Sequence, residues 1–556
     1  MNHMTFDFSA HPDRLFFVPL GGSNEIGMNL NLYTTQGKWL MIDCGIGFTG
    51  DYLPGVEIMV PNIDFIIERK KDLLGMVITH AHEDHLGGVP YLWRDLECPI
   101  YATPFTAALL RHKIAEMGPG KKPVIHEILP GGQVQLAPFS LDFIGVTHSI
   151  PEMQAIAVKT KAGVVMHTGD WKFDDAPQVG PSSDYAALQK YGDEGVLAMV
   201  CDSTNVFVEG HSGSEEEVRE HLTEVIKNCP NRVVVTTFAS NVARLETVIK
   251  AAHAAGRVIA LAGRSMWRMM ETAHEAGYLK DETDFMDDRE AMLLPRQDVL
   301  ILCTGCQGEP RAALTRIAND THPTLRLQAG DTVIMSSRKI PGNELKINYM
   351  VNMLVRKNVE VITDRNFYIH VSGHPAREEL KKMYSMVKPH IAVPTHGEAQ
   401  HIHEHAKLAR NLGVRETIEA KNGSVVLLDK SDARVVGSVE AGYLAVDGNS
   451  LIPTNGSIIK DRRRMRDNGC VTIAFAIDRN ARITSEVSME LFGLLDAKDD
   501  AELIAEYKAE LIHTLERTKR ASKSQLAEVA DQTMRKLIKR DLDKKPTVSV
   551  HVLTSE

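Results

Sequence analysis

Four side chains able to bind a metal fall within six residues of this chain: His80, His82, Asp84 and His85, in the segment THAHEDHLGG at 79–88. Imidazole and carboxylate without thiolate suit zinc, manganese or iron, and such a mixed set belongs with catalytic sites that keep a coordination position open. Beside the apolar run GMVI (75–78), three imidazoles and a carboxylate would be costly to bury without a cation to pair them. Other candidates are weaker. The run HIHEH at 401–405 falls in a helical pattern, where 401 and 405 share a face and 403 points away, so a packed or exposed helix is expected there. Cys303 and Cys306 form a CxxC with no second pair to complete a zinc site, and read as structural thiols.

The elements that must position the cluster follow from the hydrophobic pattern. Short apolar runs at 30–35, 38–43, 75–80, 99–102, 134–137, 141–146, 155–160 and 163–170 predict strands, with helices at 103–117 and after Asp84. The cluster thus sits where a chain leaves a sheet and can curl its side chains toward one point. From about 210, apolar strands (232–240, 257–263, 298–305, 331–337, 359–363) alternate with helical patterns such as 242–256, which reads as a parallel α/β unit. A helix at 377–387, a strand at 390–396, β-like runs over 413–455, a basic stretch KDRRRMR (460–466), and a strand, helices and strand between 470 and 553 complete the layout. It comprises two α/β units and a small α+β tail, without repeats or low-complexity tracts.

Composition sets the outer limits. With 556 residues, 43% hydrophobic and 24% charged, the chain is globular and long enough for several domains with their own cores. Its net charge of −10, from 63 Lys and Arg against 73 Asp and Glu, is the wrong sign for holding nucleic acid by bulk attraction, so a nucleic-acid substrate must be argued from a site. Residues 1–17 carry no apolar stretch behind a basic start, no run of about eighteen apolar residues lacks a charge, and the cysteines are scattered and odd in number. A cytoplasmic chain with no membrane contact is expected.

The pattern HxHxDH resembles the second motif of the metallo-β-lactamase superfamily, whose fold is an αββα sandwich. Asp43, His148 and Asp170 follow in that family's order, each at the end of an apolar run. The resemblance implies two divalent ions, zinc first and manganese as the alternative. His80, His82 and His148 would hold one ion, Asp84 and His85 the other, with Asp170 bridging them and Asp43 an outer carboxylate that orients the ligand loop. Such a pair of ions serves phosphodiester, thioester, lactone and lactam hydrolysis alike, so it does not name the substrate. Downstream, Asp202 in VCDST, His374 in HVSGH and His396 in VPTHGE resemble motifs A, B and C of the β-CASP nucleases. By that likeness His396 completes the second metal, while His374, oriented by Asp202, assists the scissile phosphate or the leaving oxygen. A histidine at motif C is typical of RNA-directed members.

PLGGSNEIGMN (19–29), TTFASNVARL (236–245), CTGCQGEP (303–310), SSRKIPGNE (336–344) and HVSGH with PTHGE together resemble the bacterial ribonuclease J family over nearly the first 410 residues. The tail is similar to that family's around KDRRRMRDNGCVTIAFAIDRNARI, whereas SEVSMELFGLL (485–495) departs from its Ser-Arg-Gly-Phe type of segment. The resemblance implies a metallo-β-lactamase domain over 1–208 and 365–450, a β-CASP domain over 209–364, a linker at 451–465 and a carboxy-terminal α+β domain over 466–556. It also implies a 5'–3' exonuclease with endonuclease activity, acting on RNA with a 5'-monophosphate in RNA decay and ribosomal RNA maturation. A homodimer or homotetramer, with RNA-degradation or ribosome-associated partners, is expected. Asp84, Asp170, His374 and Asp202 would be the catalytic set; Ser240, Asn241, His370, Ser372, Gly373 and His374 would meet RNA or its phosphates. Two rival classes are a small-molecule metallohydrolase, which leaves the 370–396 matches unexplained, and a non-catalytic RNA-binding scaffold, which predicts a broken ligand set.

Overall fold

The computed structural model describes residues 6–50, 52–280, 285–518 and 521–554. The chain divides into two compact units, residues 1–47 with 60–442, and residues 48–59 with 443–556. Among the described residues no helix is long and apolar enough to cross a membrane, and the cysteines form no disulfide.

In the larger unit two sheets face each other. One has the strand order Arg434–Ser438, Ser424–Leu427, Phe16–Gly21, Leu30–Thr35, Lys38–Ile42, Leu73–Val77, Ile100–Ala102, Ile125–Glu127. The other runs Gln133–Leu136, Phe139–Gly145, Gln154–Thr160, Gly163–His167, Ala198–Asp202, Ile391–Thr395, Glu416–Thr417. Because successive strand side chains point to opposite faces, alternate residues of the second sheet serve two cores. Phe143, Ile156, Val158, Val200 and Val393 pack with Phe17, Tyr33, Leu40, Ile42 and Val77 between the sheets. Ala155, Ala157, Met199, Cys201 and Ala392 face helices Tyr185–Glu194, Arg377–Val387 and Ala399–Asn411 through Leu188, Tyr191, Leu380, Met383 and Leu408. Both faces buried explains why these strands read as nearly continuous apolar runs.

The 209–364 region carries a parallel sheet of order Val258–Ala262, Val299–Cys303, Val233–Thr236, Thr332–Met335, Glu360–Ile362, as its strand–helix alternation predicts. Val234, Ile301 and Val333 pack there with Leu314, Ile347, Met350 and Leu354.

In the smaller unit, Cys470–Ile477 pairs antiparallel with Ser488–Phe492 and parallel with Thr547–Thr554. Val471, Ile473 and Phe475 lie on helices Ala501–Arg517 and Lys523–Leu542, so the divergent segment 485–495 supplies an edge strand. Residues 451–465, expected as a linker, instead carry strand Ser450–Pro453 and most of helix Ser457–Asn468. The reason is an apolar anchor hidden in a basic stretch: Ile459 is buried with Leu53, Val56, Ala445 and Ile452, and Arg462 forms a two-point ion pair with Asp447 at 2.6 and 3.0 Å.

Candidate metal centre

Strand direction decides where the chemistry gathers. Lys38–Ile42 and Leu73–Val77 run parallel, so Asp43 and His80 leave their sheet at the same edge. Gly163–His167, Ala198–Asp202 and Ile391–Thr395 are parallel to one another, and Phe139–Gly145 is related to the first of them by two antiparallel pairings. His148, Asp170, Asp202 and His396 therefore all emerge from carboxyl ends of strands at one edge, the usual position of a site on such sheets. Two turns there are strained: Asp43 has φ +64° and His396 φ +50°, left-handed values that cost non-glycine residues about 1–3 kcal/mol each. Gly45 allows the loops to close, since a Cβ at that position would lie 1.7 Å from the Asp84 carbonyl oxygen.

Each imidazole is held by its outer nitrogen. Thr79 Oγ1 donates to Asp43, at 3.0 Å from Oδ2, and so accepts from His80 Nδ1 at 3.0 Å. His85 Nδ1 donates to Asp43 Oδ2 at 2.7 Å. Nδ1 of His148 donates to the Gly373 carbonyl oxygen at 2.6 Å. Thr204 Oγ1 donates to Asp202 Oδ1 at 2.7 Å and accepts from His396 Nδ1 at 2.8 Å. With Nδ1 committed outward, Nε2 of His80, His85, His148 and His396 points into the cluster, the arrangement by which outer partners fix the tautomer of metal-binding histidines; His80 Nε2 has no hydrogen-bond partner there, whereas His85 and His396 Nε2 lie 3.1 Å from Asp170 and Asp84. His82 faces the other way, with Nδ1 at 3.1 Å from His148 Nε2.

Three groups of donor atoms lie within 4.8 Å of one another: His80, His82, His148 and Asp170; Asp84, His85, Asp170 and His396; and Asp170, Asp202, His374 and His396. Asp170 belongs to all three. Its Oδ2 is 3.1 Å from His85 Nε2 and 4.0 Å from His80 Nε2, while Asp84 Oδ2 is 3.1 Å from His396 Nε2. The third group already has an internal partner, because His374 Nδ1 donates to Asp202 Oδ2 at 2.8 Å.

The electrostatics divide the histidines. Burial first, then the neighbouring imidazoles, hold His80 and His148 well below the ordinary imidazole value, and burial pushes His82 down to about 4. These three present neutral nitrogens. Burial acts the same way on His85, His396 and His374, but there carboxylates win and raise the value: chiefly Asp170 for His85 and His396, and Asp202 for His374. Although burial opposes it, Asp84, Asp170 and Asp202 are held well below the carboxylate range by His85, His396 and His374 respectively. A metal fits this donor set. His80 Nε2 and Asp170 Oδ1 are buried without a hydrogen bond, a cost that a bound cation removes, and three neutral imidazoles beside a carboxylate are a zinc-type ligand field.

The residues expected to meet RNA fall into two sets. Ser372 and Gly373 border the cluster: Ser372 Oγ accepts from Asn205 Nδ2 at 2.8 Å and from the His374 N–H at 3.2 Å. They line a narrow surface hollow with His148, Lys172 and Asn241. Asn241 also caps helix Val242–Ala254, its side chain accepting from the Arg244 N–H at 2.9 Å. Ser240 lies one residue before that cap and is partly exposed, and His370 lies against Arg244, its Nδ1 3.3 Å from Nη1. The HIHEH run is helical as expected: His405 is buried between Ser203 and Tyr384, and His403 pairs with Glu419. Motif reading missed the supports Thr79, Thr204, Asn205 and Asn29, whose Nδ2 is 3.0 Å from His85 Nε2. Thr79 and Thr204 have one sequence signal, their nearness to His80 and Asp202; Asn29 and Asn205 reach His85 and His374 from distant segments and have none.

Comparison with known proteins agrees along the chain. Residues 29–189 match the metallo-beta-lactamase superfamily, 230–354 the ribonuclease J beta-CASP domain, 358–420 the Zn-dependent metallo-hydrolase RNA specificity domain and 457–555 the ribonuclease J C-terminal domain. A ribonuclease J of Sinorhizobium meliloti is 40% identical over 551 residues, 98% of each chain. Ribonuclease J 1 of Streptococcus pyogenes is 34% identical over 99% of each, and a ribonuclease J of Thermus thermophilus is 38% identical over 83% of this chain and 82% of its own. A crystal structure of a protein of unknown function from Enterococcus faecalis aligns with 74% of this chain and all of its own at a TM-score of 0.53 and 15% identity, a likeness of fold.

Proposed function

Since the chain belongs to the ribonuclease J family, a family of zinc-dependent RNA hydrolases, we propose that it cuts RNA phosphodiesters at the strand-end cluster with two divalent ions, zinc or alternatively manganese. The observation that carries this reading is the position of Asp170, whose carboxylate is common to the His80, His82, His148 group and the Asp84, His85, His396 group. In the proposed assignment the first trio holds one ion, the second trio the other, and Asp170 both. Bound there, the ions supply Lewis acidity to a phosphodiester and lower the pKa of a water at the site.

The chain's own residues do the positioning and the proton work. Asp43 holds Thr79 and His85, and so the Nε2 lone pairs of His80 and His85, in place. His374 donates a hydrogen bond from Nδ1 to Asp202 and keeps that proton; because Asp202 and Asp170 favour the charged imidazolium against the effect of burial, Nε2 carries the second proton, available to the scissile phosphate or the leaving oxygen. Asp84 and Asp170 complete the proposed catalytic set. Ser240, Asn241, His370, Ser372 and Gly373 are the proposed contacts to RNA, with Arg264, Arg338 and Lys339 as the proposed cations that neutralise neighbouring phosphates. With a net charge of −10, grip on RNA is expected to be local to this site.

We further assign the metal-bearing fold to residues 1–208 and 365–450, apart from 48–59 and 443–450, which pack in the smaller compact unit with 451–465, the β-CASP domain to 209–364 and the carboxy-terminal domain to 466–556. A 5'–3' exonuclease acting on 5'-monophosphorylated RNA, with some endonuclease activity, fits a cytoplasmic homodimer or homotetramer working in RNA decay and ribosomal RNA maturation with degradation or ribosome-associated partners. The test is metal-supplemented digestion of one RNA carrying either a 5'-monophosphate or a 5'-triphosphate, with products resolved by size. Mononucleotides from the monophosphate form alone are expected; discrete internal fragments from both forms would overturn the exonuclease assignment, and intact RNA in both would overturn the nuclease reading.

A further inference from the structure

Arg244 is fully buried, yet it takes no part in the metal cluster. Its charge is compensated by Glu215, also buried, through two contacts at 2.5 Å (Nε to Oε1) and 2.9 Å (Nη2 to Oε2). The remaining guanidinium nitrogen, Nη1, shares its two N–H groups among four acceptors, Ser336 Oγ at 2.6 Å, the Ile369 carbonyl oxygen at 3.1 Å, the Ser336 carbonyl oxygen at 3.2 Å and His370 Nδ1 at 3.3 Å. Ser336 Oγ in turn donates to the same Ile369 oxygen at 2.7 Å. The cation therefore grips the start of the segment that, four residues on, delivers Gly373 to His148 and His374 to Asp202.

The chemistry of this contact is one-sided. A guanidinium only donates hydrogen bonds and does not lose its proton in a protein. The imidazole nitrogen facing it must present a lone pair, so in neutral His370 the proton resides on Nε2. Burial together with Arg244 keeps His370 neutral, well below the ordinary imidazole value, which agrees with the geometry. We propose that Arg244 is a positioning residue that fixes His370 in the Nε2–H tautomer, so that the loop leading to His374 offers bound RNA a neutral N–H donor for a phosphate oxygen. This rests on the reading of the site as one that cleaves RNA.

A plain core ion pair would make Arg244 matter for folding alone, whereas a tautomer-setting role makes its effect depend on what occupies position 370. A glutamine amide reaches the position of the imidazole Nε2 and supplies N–H there; an asparagine amide reaches that of Nδ1. KM for a short single-stranded RNA is measured for His370→Gln and His370→Asn, with folding followed by circular dichroism. His370→Asn is expected to raise KM about tenfold or more above His370→Gln, the effect of losing one hydrogen bond to a charged group. Arg244→Gln, combined with Glu215→Gln so that no buried charge is stranded, is expected to raise KM about tenfold with His370 present but less than about threefold in the His370→Gln background, where no tautomer remains to be set. Equal effects in both backgrounds, or His370→Asn matching His370→Gln, would overturn the proposal. The position-370 pair leaves the ion pair intact and still decides the matter if the Arg244 variants do not fold. A wild-type chain that leaves RNA intact would instead overturn the functional reading, and this inference with it.

Discussion

The carbonyl oxygen of Gly373 sits 2.6 Å from Nδ1 of His148, joining positions 225 residues apart. That bond takes the Nδ1 proton and leaves the Nε2 lone pair inside the cluster. Only glycine fits, because a Cβ at 373 would lie 2.6 Å from His148 Cε1 and 2.7 Å from its Nδ1. Gly373→Ala is expected to push the imidazole aside and lower metal affinity or activity about 10- to 100-fold, the usual effect of disturbing an outer partner of a metal-binding histidine. Bound zinc per chain and kcat/KM check this; wild-type values for both would refute it.

His80→Ala and Asp84→Ala remove one donor from each of two groups that share Asp170. Cleavage is expected to fall to background in both, while RNA binding stays measurable by fluorescence anisotropy. Full nuclease activity in either variant would sink the metal assignment.

Chelation should act on stability as well as on turnover. Buried His80 Nε2 and Asp170 Oδ1 lack hydrogen bonds, so ions that bind the native cluster and not the unfolded chain stabilise the fold by mass action, about 2.7 kcal/mol at a free concentration one hundred times Kd. A fall in Tm with EDTA, reversed by zinc or manganese, is expected in calorimetry; an unchanged Tm would count against a buried metal centre.

Acid should weaken one identifiable contact. Burial works to raise the Asp174 carboxyl, but Lys172 Nζ at 2.9 Å, the Glu215 N–H and the Ser214 hydroxyl outweigh it and hold it below its ordinary value. A depressed folded value favours the charged form, so the stabilisation is fully present above the unfolded value of about 3.9 and is lost as pH falls through the folded value. Asp174→Asn, which strands buried Lys172, is expected to cost about 3 kcal/mol at neutral pH. Urea midpoints in EDTA should show that difference from wild type shrinking below about pH 4; a gap independent of pH would contradict this account.

Local sequence was enough to locate the first cluster, since three imidazoles and a carboxylate within six residues report their chemistry without a fold. The strand runs were also legible, because both faces of the second sheet are buried and continuous apolar stretches result. The carboxy-terminal stretch 451–465 was not: helix Ser457–Asn468 is packed through a single buried residue, Ile459, among basic ones, and a hydrophobic pattern of one residue has no period to detect.

The sequence by itself determined which residue types could bind a metal, their order, and, through resemblance, the family. Tertiary structure decided what those residues are to one another. Parallel pairing of Gly163–His167, Ala198–Asp202 and Ile391–Thr395 brings Asp170, Asp202 and His396 to one edge, a fact about register that no spacing along the chain contains. Outward hydrogen bonds donated to Asp43, Gly373 and the Thr79 and Thr204 hydroxyls then choose the tautomers of His85, His148, His80 and His396. A proton's place on an imidazole is set by the partner across from it, and that partner is supplied by segments up to hundreds of residues away.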